Sequence, residues 1–395
     1  MKNYRTCLLI FGVLLQISCS KSGSKPGSGS GQSTTTDTTA TGGTGGYKSV
    51  VSSGSGLMEI FRTDFNSPYM GSGVVGGNLY IGGDDGEGGL SFSAEVYNFS
   101  GNSWTAMLID TARDGMAVDT LGSRIFFAGG YEGYNSLSSE VDIYDAGIAT
   151  WSKATLSVPR FALAIASAGS KIVFAGGSTS YTGAGNYGEQ PTAAVDIYDA
   201  STNTWSTASL SAARYFLTTA ACGTKLFFAG GYDGTRYSNV VDIYDVITGA
   251  WTTAELSTAR GLLAAAASGN TVLFAGGVTG EAGGGSNVAS SVVDIYNLST
   301  STWTSSSLSQ ARGSLAATSA GNLLFFGGGT LQENNGSSST LDIYNVTTAK
   351  WLSPMKLSVA RQRLAASSWG TTVVFAGGDD GTSTIYGTVD LFTVQ

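Results

Sequence analysis

Arginine residues at a fixed distance from a glycine pair are the most regular set of charged side chains in this sequence, and grouped guanidinium groups bind anions. An arginine stands sixteen residues before six of the seven Gly-Gly pairs, at Arg113, Arg160, Arg214, Arg260, Arg312 and Arg361. In one interpretation Arg160, Arg214 and Arg260 line a channel mouth and bind a ligand. In the other, every unit uses its arginine alike, to bond to nearby carbonyl or carboxylate groups. The repetition favours the structural interpretation.

Tyrosines in the segments after three consecutive Gly-Gly pairs are the second set of candidate ligand contacts. These residues, with one neighbouring arginine, are Tyr131, Tyr134, Tyr181, Tyr187, Tyr232, Arg236 and Tyr237. Segments 178–194 and 278–291 are longer than their counterparts, so the repeat is least regular here. Tyrosine rings stack and their hydroxyls form hydrogen bonds, which favours recognition of a protein or a glycan. Alternatively, the aromatic residue directly after Gly-Gly belongs to the repeat itself, which accounts for Tyr131 and Tyr232.

Acidic residues gather in the corresponding segments of the first and last units, at Asp84, Asp85, Glu87, Asp379 and Asp380. Clustered carboxylates bind calcium or act as an acid–base pair, but no calcium-loop spacing is present and a solvated surface is the simpler interpretation. The sequence has no histidine, which excludes Ser-His-Asp and Cys-His catalysis. We therefore predict no metal, no cofactor and no catalytic residue.

Net charge and cysteine content narrow the possible functions further. The 395 residues carry a formal charge of −8, whereas nucleic-acid binding requires a basic face. The cysteines are Cys7, Cys19 and Cys222, and since Cys7 lies in an export signal, no disulfide framework is expected. Cys222 ends an apolar run and is predicted to be a small core residue.

The N-terminus, residues 1–19, has the pattern of an export signal. Lys2 and Arg5 precede an apolar run at residues 8–17 that is too short to span a membrane. Ile17-Ser18-Cys19 resembles the end of a bacterial lipobox, and the resemblance implies lipidation of Cys19 and an outer-membrane or cell-surface location. The alternative is secretion, with cleavage after Ser20.

Residues 20–49 are predicted to be a disordered linker, because Gly, Ser and Thr dominate and little apolar surface is available to bury. Such a coil would hold a folded domain off the membrane. We assign that domain to residues 50–395.

A repeat of about fifty residues organises this domain. Each unit has an alanine-rich strand, a Gly-polar turn, an apolar strand ending at Gly-Gly, an acid-x-aromatic strand and a strand that begins near tryptophan. Four antiparallel strands per unit, repeated radially, predict an all-β propeller. Seven glycine pairs predict seven blades. The first unit has Asn66 in the arginine position.

The last unit lacks a fourth strand, because the sequence stops after its acid-x-aromatic strand. Residues 57–61 form a short apolar segment without a partner. We predict that this N-terminal strand completes the seventh blade and closes the ring, which removes exposed sheet edges.

Gly-Gly, an aromatic strand, tryptophan and an arginine opening the next unit resemble the kelch repeat, across nearly all of residues 57–395. The resemblance implies a monomeric propeller that binds a protein or glycan with the loops after Gly-Gly. The alternative is a carbohydrate-active enzyme similar to kelch-type sialic acid mutarotases. Copper radical oxidases of similar fold require two histidines and a tyrosine–cysteine crosslink, which this sequence cannot supply.

Overall fold

The structure, a computed structural model, describes residues 47–52, 71–82, 93–109, 111–132, 136–181, 189–280, 287–332, 336–382 and 388–394. All regular secondary structure in these ranges is β-strand, and it forms seven sheets of the blade type together with one small hairpin. The prediction of an all-β, seven-bladed propeller is confirmed. The predicted export signal, Cys19 and residues 57–61 lie outside the described residues.

Each blade is an antiparallel sheet whose strands follow one another in sequence, from an inner strand to an outer one. Blade one consists of β2 (Ser72–Val75), β3 (Asn78–Gly82), β4 (Ser93–Asn98) and β5 (Ser103–Leu108). Blade two consists of β6 (Ala117–Leu121), β7 (Arg124–Ala128), β8 (Glu140–Asp145) and β9 (Thr150–Thr155). Blade three consists of β10 (Ala164–Ala168), β11 (Lys171–Ala175), β12 (Ala194–Asp199) and β13 (Thr204–Ser209). Blade four consists of β14 (Thr218–Cys222), β15 (Lys225–Ala229), β16 (Val240–Asp245) and β17 (Trp251–Glu255). Blade five consists of β18 (Ala264–Ser268), β19 (Thr271–Ala275), β22 (Val292–Asn297) and β23 (Thr302–Ser307). The small hairpin, β20 (Val278–Thr279) and β21 (Val288–Ala289), lies between β19 and β22 in the sequence.

Blades six and seven depart from this plan at their outer strands. Blade six consists of β24 (Ala316–Ala320), β25 (Leu323–Gly327), β26 (Thr340–Asn345), β27 (Lys350–Trp351) and β28 (Met355–Lys356). Blade seven consists of β29 (Ala365–Trp369), β30 (Thr372–Ala376), β31 (Val389–Val394) and β1 (Tyr47–Ser52). In blade six the outer strand is split, because β27 and β28 pair separately with β26.

The outer strand of blade seven is β1, which pairs with β31 from Tyr47↔Val394 to Ser52↔Val389. The position that the sequence assigned to residues 57–61 is therefore occupied by residues 47–52, and β1 begins at Tyr47, within the range 20–49 that was assigned to a linker. Blade seven also packs against blade one, since Val374 and Ala376 share a buried cluster with Leu79 and Ile81.

The core lies between the blades, because the second strand of each blade is buried on both of its faces. In β15, for example, Leu226 and Phe228 pack towards blade three, whereas Phe227 packs towards blade five. Small residues on the inner strands, such as Ala264 and Ala266, let these strands approach the propeller axis closely. The uniform apolar pattern of the second strands thus follows from contact with two neighbours.

Tyrosine on the third strand and tryptophan on the fourth form a cross-strand pair in six blades. In blade four Tyr244 lies opposite Trp251, with ring centroids 4.9 Å apart. Such pairs stabilise the outer half of a sheet by packing and by favourable ring geometry.

The glycine pair is required where one blade meets the next. Gly176 has φ = 64°, and a Cβ built on it would lie 2.5 Å from the carbonyl oxygen of Arg214 in the following blade. The next residue, Gly177, donates its N–H to that same carbonyl at 2.9 Å. Any larger residue at position 176 would therefore separate the two blades.

Candidate binding rim

Each of the six repeated arginines is completely buried and paired with the aspartate on the third strand of its own blade. Arg160 contacts Asp196 at 2.7 Å, and Arg361 contacts Asp390 at 2.8 Å. Arg214 pairs with Asp242 and also donates to the carbonyls of Gly230 at 2.5 Å and Val240 at 2.8 Å. The arginine thus fastens the segment entering a blade to two of its strands.

The structure corrects the assignment of Arg160, Arg214 and Arg260 to a ligand-binding mouth. Their exposed fraction is 0%, and their guanidinium groups are turned towards buried carboxylates and main-chain carbonyls. A ligand in the channel therefore meets no charge from these three side chains. The structural interpretation of the arginine series is the one that the geometry supports.

Blade one has a different arrangement at the same place. Its second strand, β3, ends at Gly82, and Asn66, which the sequence placed in the arginine position, lies outside the described residues. The acid on its third strand is Glu95, which is 3% exposed, and its Oε1 has no hydrogen-bond partner among the described residues. Burial raises the pKa of Glu95 to about 7.

Four of the six predicted tyrosines, Tyr131, Tyr181, Tyr232 and Tyr237, lie near one another on the side of the propeller that carries the loops after Gly-Gly. We name this surface the aromatic rim, which comprises Tyr131, Phe161, Tyr181, Tyr215, Tyr232 and Tyr237. Tyr181 lies 4.4 Å from Tyr131 and edge-on to Phe161 at 5.2 Å, between ring centroids. Tyr232 lies 5.5 Å from Tyr215 and 5.4 Å from Tyr237. Tyr134 and Tyr187 lie outside the described residues.

Exposure divides the rim into two parts. Tyr131 and Tyr181 are half-buried, whereas Tyr232 and Tyr237 are only 5% and 9% exposed. The expectation that all these tyrosines are exposed contacts is wrong for the latter two. Tyr237 covers Gly261 of the next blade and donates its hydroxyl to Asn287 at 3.0 Å, so it packs blade four against blade five.

Arg236, the remaining predicted contact, is exposed at the tip of the blade-four loop. Its side chain is 79% exposed and contacts Asp233 at 3.4 Å, a surface ion pair that contributes little to stability. Asp233 also accepts the N–H groups of Thr235 and Arg236, at 2.8 Å each, which fixes the loop.

Sequence reasoning missed Glu189 and Tyr215, which form a buried pair beside these rings. Glu189 is 7% exposed and Tyr215 is 0% exposed. The Tyr215 hydroxyl donates to the Glu189 carboxylate, and burial raises the pKa of both groups. Glu189 Oε2 has no hydrogen-bond partner among the described residues. The signal available in the sequence was an acid two residues before a proline in the long 178–194 segment, which is not specific.

The axial channel opens on the same side. A cavity of about 240 Å³ is lined by inner-strand residues of all seven blades, mostly alanine and leucine. Around its mouth, the residue two places after each arginine has positive φ, as at Phe216 (59°) and Leu262 (54°). Main-chain bonds at these positions link successive blades, for example Ser314 N–H to the Leu262 carbonyl at 2.8 Å. The channel mouth is therefore apolar on the side of blades three to five.

Blade seven places one charged pair at this mouth. Arg363 binds Asp379 through two contacts of 2.6 and 2.7 Å, and Asp379 is 4% exposed. Asp379 is thus a structural partner of Arg363. Of the other predicted acidic residues, Asp380 accepts the N–H of Thr382 at 2.8 Å, and residues 84, 85 and 87 lie outside the described ranges.

Three further observations bear on function. Cys222 is 4% exposed, as expected of a core residue, and burial raises its pKa. Within the described residues, no group of three or more His, Cys, Asp or Glu side chains is placed to hold a metal ion. None of the described residues belongs to a helix long and apolar enough to cross a membrane.

Comparison with protein families matches the Kelch motif to residues 213–255, which extend from just before Arg214 to the end of β17. A comparison with curated proteins found no match. The matched segment is one blade with its entering arginine, and the same Arg–Asp pair, glycine pair and Tyr–Trp pair recur around the ring. The protein is a seven-bladed β-propeller that contains a match to the Kelch motif.

Proposed function

We propose that this protein is an exported, envelope-anchored binding module that recognises another protein with its aromatic rim. Kelch propellers generally mediate protein interactions. The observation that carries the proposal is the clustering of Tyr131 and Tyr181, half-buried and 4.4 Å apart, from the loops of two consecutive blades. Tyrosine is enriched at the centres of protein interfaces because it buries a large rigid ring and keeps a polar end.

An anionic sugar as ligand has less support. The alternative function, similar to sialic acid mutarotases, relied on arginines at the channel mouth to hold a carboxylate. Arg160, Arg214 and Arg260 are buried in ion pairs, and Arg363 is already bound to Asp379. The side chains beside the tyrosines are carboxylates, Asp114 and Glu189, which repel an anion.

The test is a capture experiment with the full-length protein and extracts of its native envelope. A Tyr131→Ala/Tyr181→Ala variant should bind the captured partner at least about tenfold more weakly than wild type, because hot-spot tyrosines contribute more than about 1 kcal/mol each. A matched Thr202→Ala/Thr300→Ala variant changes two exposed residues in turns on the opposite side and should bind normally. Loss of the partner in the threonine variant alone would refute the assignment of the rim. Loss of capture after deglycosylation of the extract would support a glycan ligand instead.

Anchoring is proposed from the sequence pattern around Cys19. Replacement of Cys19 by serine should move the protein from the membrane fraction to the soluble fraction, since the lipid would supply the attachment. A variant that remains in the membrane fraction would show that Cys19 does not carry the anchor.

A further inference from the structure

Two carboxylates lie beside the exposed half of the aromatic rim. Both Asp114 and Glu189 are close enough to Tyr181 to raise the pKa of its hydroxyl, in addition to the effect of burial. Asp114 is half-buried, whereas Glu189 is 93% buried, as its 7% exposure shows. We name Asp114, Tyr131, Tyr181, Glu189 and Tyr215 the acidic patch.

Glu189 is the most unusual member of the patch. A buried carboxylate normally has a cationic partner or several hydrogen-bond donors, because its desolvation is costly. Glu189 accepts a hydrogen bond from Tyr215, while its Oε2 has no partner among the described residues. A cation placed beside Oε2 would offset that cost.

The arginines near the patch are engaged elsewhere. Arg160 and Arg214 are buried and paired with Asp196 and Asp242, on the third strands of their own blades. Arg236 contacts Asp233 at the loop tip. None of these three arginines therefore neutralises Glu189, which lies next to ring faces that also attract cations.

Resting on the proposed function, we infer that the acidic patch binds the ammonium or guanidinium group of a lysine or arginine side chain presented by a basic segment of a protein partner. The half-buried rings of Tyr131 and Tyr181 would contact the aliphatic stem, and the carboxylates of Asp114 and Glu189 would face the charge. The formal charge of −8 would attract such a segment at long range.

The probe is a fluorescent peptide of alternating serine and lysine, with the same peptide bearing Nε-acetyllysine as its neutral match. Binding to the full chain is measured by anisotropy at low ionic strength and mildly alkaline pH, which favours the ionised form of Glu189 because burial raises its pKa. The lysine peptide should bind at least about tenfold more tightly than the acetylated peptide. Equal binding of both peptides, or no binding of the lysine peptide, would overturn the inference.

Glu189→Gln removes the charge of the side chain and keeps its shape, and it should weaken binding of the lysine peptide by about tenfold or more. Glu255→Gln removes an equal charge from an exposed position on β17, the outer strand of blade four, and should change binding less than about twofold. Equal effects of the two variants would show that general attraction, and not the patch, binds the peptide. If Glu189→Gln fails to fold, Asp114→Asn provides the same comparison from a half-buried position.

Binding should also depend on pH with a definite sign. Burial raises the pKa of Glu189, so acidification neutralises this carboxylate before ordinary surface acids lose their charge. The lysine peptide should therefore dissociate as pH falls, and the Glu189→Gln variant should lose most of this dependence.

The peptide and capture experiments separate the two proposals. If the Tyr131→Ala/Tyr181→Ala variant loses a native partner while no lysine peptide binds, the binding function stands and the inference about basic segments is wrong. If the peptide binds through Glu189 and the tyrosine variant keeps its captured partner, the patch exists but the proposed role of the rim fails.

Discussion

Two buried carboxylates, Asp242 and Glu189, are held by consecutive residues and differ in every other respect. Arg214 pairs with Asp242 inside blade four, and Tyr215 donates to Glu189 at the rim. The first pair recurs in six blades, and its charges are neutralised by each other and by main-chain groups such as the Ser211 N–H at 3.0 Å. The second pair has a neutral donor and leaves one carboxylate oxygen without a partner among the described residues.

The difference separates structural from functional use of the same chemical group. A pair that occurs in blade after blade satisfies a need that every blade has, which is to attach its entering segment. A carboxylate that occurs in one loop and is incompletely satisfied contributes less to the fold and is available for a ligand.

The largest expected effect comes from breaking the repeated pair. Arg214→Met should lower the free energy of unfolding by about 3–5 kcal/mol, because it leaves Asp242 buried without its counter-charge. Urea unfolding followed by tryptophan fluorescence measures the change. Arg214→Met/Asp242→Leu should recover a large part of the loss, since it removes both charges.

Arg236→Met is the matched control, because Arg236 is 79% exposed in the same blade. Its effect should stay within about 0.5 kcal/mol. Similar losses for Arg214→Met and Arg236→Met would contradict the structural role of the buried pair.

Much of the fold was predictable because a repeat multiplies each weak local signal. One Gly-Gly or one acid-x-aromatic strand is unspecific, but seven of each, about fifty residues apart, determine the blade number. Repetition also favoured the correct interpretation of Arg160, Arg214 and Arg260. These arginines are buried in ion pairs with Asp196, Asp242 and Asp294, the same structural role in each blade.

The rim was less predictable because its contacts cross from one blade to the next. Tyr181 contacts Tyr131, and Tyr215 contacts Glu189, only because the propeller places their blades side by side, which the local sequence does not specify. The same limit applies to the outer strand of blade seven. Residues 57–61 and Tyr47–Ser52 are both short segments able to form a strand, and pairing with β31 distinguishes them only in three dimensions.

The second prediction compares the buried and half-buried tyrosines of the rim. Tyr237→Ala should destabilise the protein by roughly 3 kcal/mol, because it empties the contact with Gly261 and Tyr232 and removes the hydrogen bond to Asn287. Tyr181→Ala should cost only about 1 kcal/mol, the value of a ring contact at a partly exposed site. Thermal unfolding of the two variants measures the difference.

If Tyr181→Ala destabilises the protein as much as Tyr237→Ala, both tyrosines serve packing, and the division of the rim into a buried and a half-buried part has no functional meaning. The expected result also selects variants for binding studies. Tyr181 can be changed without unfolding the blade, whereas Tyr237 cannot serve as a probe of ligand contact.

The smallest expected effect concerns Glu95, a third buried carboxylate, which occupies the aspartate position of blade one. Its pKa in the folded protein is about 7, against an ordinary value of 4.5. Below the ordinary value, Glu95 is protonated in both the folded and the unfolded states, and its contribution to stability is fully present. As pH rises towards 7, the unfolded chain ionises while the folded protein keeps its proton, so the free energy of unfolding falls.

Once the pH exceeds the pKa of Glu95 in the folded protein, its contribution to stability is fully lost. Between mildly acidic and mildly alkaline pH, the free energy of unfolding should therefore fall by on the order of 2 kcal/mol because of Glu95. Glu95→Gln keeps the shape and cannot ionise, so its stability should decline less over this pH range than that of wild type. Glu255→Gln, at an exposed position, should follow the wild-type curve. The quantity to compare is the difference between each variant and wild type, because other carboxylates titrate in the same range. A Glu95→Gln curve parallel to wild type would show that blade one neutralises its acid as completely as the six blades that use arginine.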